Sequence, residues 1–221
     1  MDRVLIIAAH PDDEVLGCGG VMRHYSRNGC SVHVCFVTDG TIGRTSVTAE
    51  DVRSKERMSE EAAAILGVTS IHRLPFSDMR LDMVAHQDLN NALLDVWKAV
   101  QPTVVFVHSS TDVNLDHRRI YDAVEVLARP PIESLRRLYT YEVLSSTEWR
   151  LNQSFMPNTF FDVSSYLADK QRAMACYTTE LREFPHPRSL QGIEVLAQYR
   201  GMQSGYMCAE AFCLVRSWHD I

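Results

Sequence analysis

The opening segment of the chain constrains its fold more than any other stretch. Residues from Arg3 to Ala9 read Arg-Val-Leu-Ile-Ile-Ala-Ala, and this continuous apolar run predicts a strand that is buried on both faces. Pro11 has no N–H to donate to a neighbouring strand, so the strand should stop near His10. The segment from Glu14 to Tyr25 then predicts a helix. A buried strand, a tight turn and a helix in succession are typical of an open α/β sheet.

Strands and helices continue to alternate along the rest of the chain. Strands are predicted at residues 31–38, 71–74, 103–107, 137–143, 159–162 and 211–215. Helices are predicted at residues 51–66, 87–100, 117–127, 164–177 and 190–200. This alternation predicts a Rossmann-like three-layer α/β/α sandwich with a mostly parallel sheet, in which the first strand lies beside the fourth. No repeat, low-complexity tract or linker interrupts the sequence, so we expect a single domain over residues 1–221.

Composition excludes several classes of protein. The formal net charge is −6 and the 22 lysines and arginines are dispersed, which argues against a nucleic-acid binder. No apolar run approaches the ~20 residues that a membrane span needs, and the immediate entry into a strand leaves no room for a signal peptide. The six cysteines form no C-x-x-C pair. Buried free thiols and a cytoplasmic location are therefore expected.

Two polar clusters follow the first and fourth predicted strands. The first holds His10, Asp12 and Asp13, and the second runs from residue 108 to 118 and includes His117. Because neighbouring parallel strands end at the same edge of a sheet, we expect His10, Asp13 and His117 to lie together. Two imidazoles and one carboxylate, with a position left for water, are the ligands of a catalytic zinc site.

The carboxylates of the first turn cannot all bind one metal. Asp12 and Asp13 point in different directions on a tight turn, so one can ligate while the other faces the bound water as a general base. Such a pair would hydrolyse a neutral amide or ester. Glu14 and Asp116 are then expected to support the loops and ligands from behind. The simpler alternatives are an N-cap for Asp12, a turn histidine for His10 and helix-dipole carboxylates for the other two acids of that turn.

Four short motifs of the sequence resemble those of a known family. Ala-His-Pro-Asp-Asp-Glu at 9–14, Thr-Asp-Gly at 38–40, Arg-x-x-Glu at 53–56 and Asn-x-Asp-His at 114–117 resemble the PIG-L/LmbE-like zinc-dependent N-deacetylases. The similarity runs through nearly the whole chain. It implies a Rossmann-like fold, a Zn²⁺ cofactor and removal of the acetyl group from a small-molecule N-acetylglucosamine-type amino sugar. It also implies a homo-oligomer, either a trimer or a hexamer.

The resemblance gives roles to individual residues. The zinc ligands that it implies are His10, Asp13 and His117. It makes Asp12 the general base, Arg53 a residue that holds substrate oxygens, and Asp78 an aspartate that reads a sugar hydroxyl. The alternatives are a surface salt-bridge arginine for Arg53 and a turn aspartate for Asp78.

One position departs from the family pattern. Many members have histidine where this chain has Asn114, and that histidine polarises the tetrahedral intermediate or protonates the leaving amine. An asparagine can donate a hydrogen bond to an oxyanion but cannot deliver a proton. Protonation then falls to Asp12 or to another histidine. The candidate is His186, between Pro185 and Pro187, because a late histidine of a neighbouring subunit enters the site in some relatives; the alternative is a loop histidine without a role.

Other functions compete with deacetylation. The run Gly17-Cys-Gly-Gly20 suggests a non-catalytic nucleotide-binding Rossmann module, but G-x-G-x-x-G would need glycine where Met22 stands. We interpret these glycines as sites of close helix–sheet packing. An amidase acting on thiol-sugar conjugates shares the same zinc ligands. The loops at 41–49, 145–158 and 179–189 are expected to select among sugars, with Trp149 as a stacking platform or a core aromatic.

Overall fold

Seven strands and six α-helices alternate along the parts of the chain that the computed structural model describes, residues 1–41, 48–130 and 134–219. The strands are β1 (Arg3–Ala8), β2 (Ser31–Thr38), β3 (Ser70–Phe76), β4 (Val104–His108), β5 (Arg137–Tyr141), β6 (Thr159–Asp162) and β7 (Ala209–Ser217). The helices are α1 (Asp13–Arg27), α2 (Ala49–Leu66), α3 (His86–Val100), α4 (Leu115–Leu127), α5 (Leu167–Cys176) and α6 (Leu190–Ser204).

All seven strands belong to one sheet in the order β3-β2-β1-β4-β5-β7-β6. Strands β1 to β5 pair in parallel, whereas β7 pairs antiparallel with both β5 and β6. The Rossmann-like, mostly parallel architecture is therefore confirmed, as is the adjacency of the first and fourth strands. Val4 pairs with Val104 and Ile6 with Phe106, so β1 and β4 end at the same edge of the sheet.

Helices cover both faces of the sheet and give it two apolar cores. Side chains alternate along β1, so that Val4 and Ile6 pack on one face while Leu5 and Ile7 pack on the other. The first core includes residues of α1, α2, α5 and α6, and the second includes residues of α3 and α4. With both faces occupied, the end of the sheet where β1 and β4 stop is the place left for a ligand.

The glycines of α1 allow a very close approach to the sheet. A Cβ at Gly17 would lie 2.2 Å from Cδ2 of Tyr141, and one at Gly20 would lie 2.6 Å from Cγ1 of Val163. Any larger residue would push the helix away from β5 and from the segment after β6. Close packing is thus confirmed as the reason for the Gly17-Cys-Gly-Gly20 run.

A buried ion pair ties α1 to two later elements. Lys170 of α5 and Glu210 of β7 are 4% and 5% exposed, and Nζ of Lys170 lies 2.6 Å from Oε1 of Glu210. The carboxylate also accepts hydrogen bonds from the backbone N–H groups of Gly20 and Val21, at 2.8 and 2.7 Å. The ammonium donates to the carbonyl of Leu16 at 2.8 Å. We call these two residues the Lys170–Glu210 pair. Each of its charged atoms has a hydrogen-bond partner.

Five of the six helices begin one to three residues from the expected position, and the structure shows the reason in α4 and α5. Helix α4 starts at Leu115 rather than His117, because Oδ1 of Asn114 accepts a hydrogen bond from the backbone N–H of Asp116 at 2.8 Å and caps the helix. Helix α5 starts at Leu167 rather than Ser164, whose hydroxyl donates to Asp162 at 2.6 Å instead of capping.

The structure also bears on two expectations drawn from composition, those on membrane spans and on cysteines. Among the described helices, each is too short or too polar to span a bilayer. The six cysteines are free; Cys18, Cys35 and Cys208 are buried and the others are half-buried. Free thiols are thereby confirmed, and the cytoplasmic location inferred from them stays a prediction.

Candidate active site and metal centre

The turns after β1 and β4 enclose a cavity of about 150 Å³ at the edge of the sheet. Six of the residues singled out in the sequence line it: His10, Asp12, Asp13, Asp78, Asn114 and His117. Of the three loops expected to form its walls, 145–158 contributes Ser145 and Ser146, and 179–189 contributes Glu180 and Arg188. Residues 42–47 of the third loop lie outside the described residues.

The three expected metal ligands converge in this cavity. Oδ2 of Asp13 lies 3.1 Å from Nδ1 of His10 and 3.3 Å from Nε2 of His117, and the two nitrogen atoms are 3.4 Å apart. Their three donor atoms could therefore surround one ion. Two imidazole nitrogens and a carboxylate oxygen are the donor set that catalytic zinc takes, so the residues fit the metal.

A carboxylate behind His117 sets the orientation of its ring. Nδ1 of His117 lies 3.1 Å from Oδ2 of Asp112, which is itself fully buried. Asp112 also accepts hydrogen bonds from the hydroxyls of Ser146 and Thr147. Burial opposes ionisation of Asp112, but the close His117 imidazole and these two hydrogen bonds outweigh it and lower its pKa to about 2. A carboxylate in this position fixes which imidazole nitrogen faces a metal.

His10 is supported in the same way from its other side. Its Nε2 lies 2.9 Å from Oδ1 of Asp78 and 3.4 Å from Oδ2 of Asp116. Asp116 is held in turn by the backbone N–H groups of Met79 and Leu81, at 2.8 and 3.1 Å. Asp116 thus lies behind His10, where it was expected. Asp78 lines the cavity and its carboxylate lies against the His10 ring, so its role in reading a sugar hydroxyl stays a prediction.

His108 packs against the ring of His117. The two rings stack with centroids 3.8 Å apart and an interplanar angle of 16°. Nε2 of His108 accepts the backbone N–H of Ala9 at 2.8 Å, which ties the end of β4 to the end of β1. Burial, and the charge that His117 can carry, hold the pKa of His108 well below its usual value. His108 therefore serves as a neutral packing and bridging group.

Asp12 stands apart from the metal ligands. Its side chain makes no capping hydrogen bond to α1, which removes the N-cap alternative, and its φ of 136° is unusual for a residue with a side chain. Oδ2 of Asp12 instead lies 3.3 Å from Nη1 of Arg188. Burial and the nearby charge of Asp13 raise the pKa of Asp12 well above its usual value, against the opposing effect of Arg188. Such a group is suited to accept a proton.

Backbone strain is concentrated around this cavity. Asp12, Met79 and Ser145 have φ angles of 136°, 54° and 68°, and all three line it. Non-glycine residues are rarely found with positive φ, and such strain is common at functional sites. The Glu14 carboxylate holds the strained turn by accepting from the backbone N–H of Asp12 at 3.0 Å and from the Tyr177 hydroxyl at 2.6 Å. Burial raises the pKa of Glu14 to about 7.

Two expected residues do not line the cavity. The side chain of Arg53 is 60% exposed and pairs with Glu50 of the same helix at 3.1 Å, which is the surface salt bridge considered as its alternative. Nδ1 of His186 accepts the backbone N–H of Arg188 at 3.1 Å, and its ring lies edge-on to Trp149. Trp149 is itself 51% exposed and so is not a core aromatic. His186 therefore does not line the cavity of its own chain.

Three charged residues in the cavity were missed from the sequence. Arg188 contacts Glu180 at 3.0 Å as well as Asp12, and Glu180 pairs with Lys55. Lys55 is two residues from Arg53, and Arg188 two residues from His186, so the helix and the loop expected at the cavity do reach it, but through other side chains. Asp112 was missed as well, although it lies inside the second polar cluster.

The two polar atoms of the Asn114 side-chain amide have different surroundings. Its oxygen caps α4, and its Nδ2 lies 3.7 Å from the sulfur of Met79 at the cavity wall. The amide therefore offers an N–H donor to a ligand, as expected of the residue that replaces histidine.

Comparisons with known proteins support the same interpretation. The model of the PIG-L family, described as GlcNAc-PI de-N-acetylase, matches residues 5–128. Diacetylchitobiose deacetylase of Thermococcus kodakarensis is 26% identical over 224 residues, which cover 96% of this chain and 83% of that protein. The 4-oxalmesaconate hydratase of Pseudomonas putida is 29% identical over 78% of this chain and 71% of its own. The crystal structure of a conserved protein of Thermus thermophilus superposes with a TM-score of 0.78 at 26% identity, covering 100% of this chain and 98% of that one.

Proposed function

Because this chain belongs to the PIG-L family, we propose that it is a zinc-dependent hydrolase that removes the N-acetyl group from an N-acetylglucosamine-type amino sugar. The observation that carries the proposal is the convergence of His10, Asp13 and His117 beside Asp12 in one cavity. The family description and the diacetylchitobiose deacetylase supply the substrate class.

His10, Asp13 and His117 would hold the zinc ion, with Asp112, Asp78 and Asp116 orienting the two imidazoles. Bound zinc supplies Lewis acidity, which polarises an amide carbonyl and lowers the pKa of a water molecule. The protein itself contributes a buried cavity wall, on which the three side chains lie close together without a metal ion.

The proton transfers fall to Asp12. Its carboxylate takes a proton from the water that attacks the carbonyl carbon, and the N–H of Asn114 donates to the oxygen on which charge develops. The C–N bond then breaks, and Asp12 returns its proton to the departing amine nitrogen. Acetate and the free amino sugar are the products, and Asp12 is again ionised.

His186 is the second candidate for the proton donor. It does not line the cavity of its own chain, so we infer that it would act on the cavity of another copy in the homo-oligomer that the family resemblance implies. Mixing His186→Ala protein with Asp12→Asn protein tests this directly. Restored activity in mixed oligomers would assign the role to His186, and absence of rescue in oligomers shown to be mixed would leave both transfers with Asp12.

Acetate release from N-acetylhexosamine derivatives tests the proposed reaction. We expect activity with zinc-loaded protein, and loss of both zinc and activity in His10→Ala and His117→Ala. His219→Ala is the matched control, since His219 is exposed and distant in sequence from the site. Undiminished zinc in both ligand variants would overturn the assignment. Hydrolysis of thiol-sugar conjugates in place of N-acetyl sugars would favour the amidase.

A hydratase is the second candidate function. The Pseudomonas putida relative shows that proteins similar to this chain include one named for adding water to an unsaturated carboxylate. Lys55 and Arg188 line the cavity and both pair with Glu180, so such a carboxylate would have to take the place of Glu180 as their partner. Loss of the absorbance of 4-oxalmesaconate, without acetate release from any N-acetyl sugar, would establish hydration in place of deacetylation.

A further inference from the structure

Tyr177 lies outside the catalytic cavity, yet its hydroxyl contacts the turn that carries Asp12. Tyr177 follows the last residue of α5, is fully buried in the first core and does not line the cavity. Its hydroxyl donates to Oε1 of Glu14 at 2.6 Å. Oε2 of the same carboxylate accepts the backbone N–H of Asp12 at 3.0 Å. Two hydrogen bonds therefore join Tyr177, 163 positions along the chain from Glu14, to the backbone of the proposed base.

The backbone of Asp12 is in a conformation that few residues with a side chain adopt. Its φ is 136° and its ψ is −28°. The carbonyl of Asp12 accepts the N–H groups of Val15 and Leu16, at 3.1 and 2.9 Å, in the first turn of α1. Its N–H, on the other side of the residue, donates to Glu14. Because strain of this kind persists only where the surroundings hold it, the position of Asp12 depends on the Glu14 carboxylate.

The orientation of that carboxylate depends in turn on Tyr177. Glu14 is 2% exposed, so its carboxylate is oriented by protein donors rather than by solvent. Among the described residues, the Tyr177 hydroxyl is the side-chain donor that Glu14 has. Hydrogen bonds to an ionised acceptor are stronger than those between neutral groups, so this contact fixes the carboxylate more firmly than a neutral pair would.

The backbone of Tyr177 reaches the side chain of Asp12 by a second route. The Tyr177 carbonyl accepts the N–H groups of Glu180 and Leu181, at 2.9 and 3.0 Å, in the turn that follows α5. Glu180 lies 3.0 Å from Arg188, whose guanidinium lies 3.3 Å from Oδ2 of Asp12. One residue thus bears on both the backbone and the carboxylate of Asp12.

We propose that Tyr177 is a positioning residue for the general base: its hydroxyl, through Glu14, holds Asp12 where it can take the proton of the attacking water. This inference rests on the proposed deacetylase function and adds to it a residue that does not line the cavity. Tyr177, Glu180 and Arg188 all lie beyond residues 5–128, so the match to the family model extends to none of them.

Tyr177→Phe tests this role, because it removes the hydroxyl and keeps the buried ring. We expect kcat for acetate release to fall by about tenfold to a hundredfold, the scale of displacing a reacting group by about 1 Å, with KM and zinc content unchanged. Tyr139→Phe is the matched control and should keep full kcat, since Tyr139 is also buried in the first core but packs there against aromatic rings. Unchanged kcat in Tyr177→Phe, with or without a change in KM, would overturn the proposal.

A double-mutant cycle shows whether Tyr177 acts through Glu14. Glu14→Ala removes the carboxylate and should lower kcat by itself. If the hydroxyl acts through that carboxylate, adding Tyr177→Phe to Glu14→Ala should lower kcat by much less than Tyr177→Phe does alone. All variants are compared at a temperature at which their melting curves show them folded. Losses that multiply in the double variant would contradict the proposed route.

Amide hydrogen exchange tests the hold on Asp12 without any substrate. The Asp12 amide should exchange about tenfold faster or more in Tyr177→Phe, because losing a hydrogen bond to a charged group lets this turn open more often. The amides of β1 should be unchanged. Faster exchange confined to the turn supports the role of Tyr177 even if no N-acetyl sugar is hydrolysed, in which case only the deacetylase function fails. Unchanged exchange at Asp12, or equal acceleration throughout β1 and α5, would show that the proposal is wrong.

Discussion

Two clusters of buried charged residues contact α1, one at its first residue, Asp13, and the other one to two turns further along the helix. The two clusters are built differently. In the Lys170–Glu210 pair, each charged atom is hydrogen-bonded to a partner or to the α1 backbone. In the His10–Asp13–His117 cluster, Nε2 of His10 and Nδ1 of His117 lie close to carboxylates without a well-directed hydrogen bond. Buried polar groups are normally satisfied, so the incomplete satisfaction of this cluster is what the proposed metal site would explain.

The largest expected effect is on catalysis. Asp12→Asn should lower kcat by roughly 10²–10⁴-fold, the usual contribution of a positioned proton acceptor. Zinc content should be unchanged, since Asp12 is not among the ligand atoms that converge. Metal-free Asp12→Asn protein should unfold at the same temperature or higher, because the raised pKa of Asp12 means that its ionised form destabilises the fold. Near-normal turnover with full zinc would remove Asp12 from the mechanism.

The Lys170–Glu210 pair should show the opposite behaviour. Lys170→Met leaves a buried carboxylate without its counter-ion and should lower the free energy of unfolding by about 3–5 kcal/mol, measured by urea denaturation. The activity of the molecules that remain folded should not change. Arg57→Met is the control: Arg57 is 56% exposed, its partner Glu50 is 62% exposed, and such pairs typically contribute at most about 1 kcal/mol. Similar small losses in both variants would contradict the contrast between the clusters.

Zinc binding should depend on pH because protons compete for the ligands. Burial disfavours the charged form of His117, but Asp13 and Asp112 outweigh it and raise its pKa to about 9 in the metal-free protein. Zinc must displace that proton, so its affinity should fall by at least about tenfold for each pH unit below 9. Competition with a chelator at pH 6, 7 and 8 measures the slope. Affinity that does not change over this range would show that the ligands bind zinc without releasing a proton.

The smallest expected effect concerns Arg188. Its guanidinium holds Asp12 and Glu180 at 3.3 and 3.0 Å, so Arg188→Met should lower kcat by about twofold to fivefold, the scale of a partly exposed ion pair. Arg188→Lys should recover part of the loss. Arg182→Met in the same loop is the control, since the guanidinium of Arg182 donates to the backbone carbonyls of Thr179 and Leu181 and not to Asp12. Equal effects of the two methionine variants would show that the loop, not the Asp12 contact, matters.

The sequence predicted what depends on strand order and missed what depends on side-chain direction. Buried runs at 3–9 and 103–107 implied neighbouring strands, and the ligands at their ends followed from that adjacency alone. Arg53 and Lys55 lie two residues apart on α2, where such positions face different sides of a helix. A motif can therefore place the helix at the cavity without showing which of the two side chains reaches it.

The loop at 183–189 posed a harder problem. Two prolines suggested that it holds a side chain in place, and a histidine between them was the natural candidate. The structure instead turns His186 back onto its own loop and directs Arg188 to Asp12. Arg188 contacts Glu180, and His186 contacts Trp149. No periodic pattern in the sequence indicates these contacts, so the sequence could not show which of the two side chains faces the cavity.

The Lys170–Glu210 pair also has a consequence for the order of synthesis. Helix α1 leaves the ribosome long before the side chains that bond to Leu16, Gly20 and Val21, which are at positions 170 and 210. A nascent chain that ends at residue 128, where the family match stops, still lacks both partners and the Tyr141 ring that covers Gly17. The helix that carries Asp13 therefore acquires these surroundings only when β7 has been made.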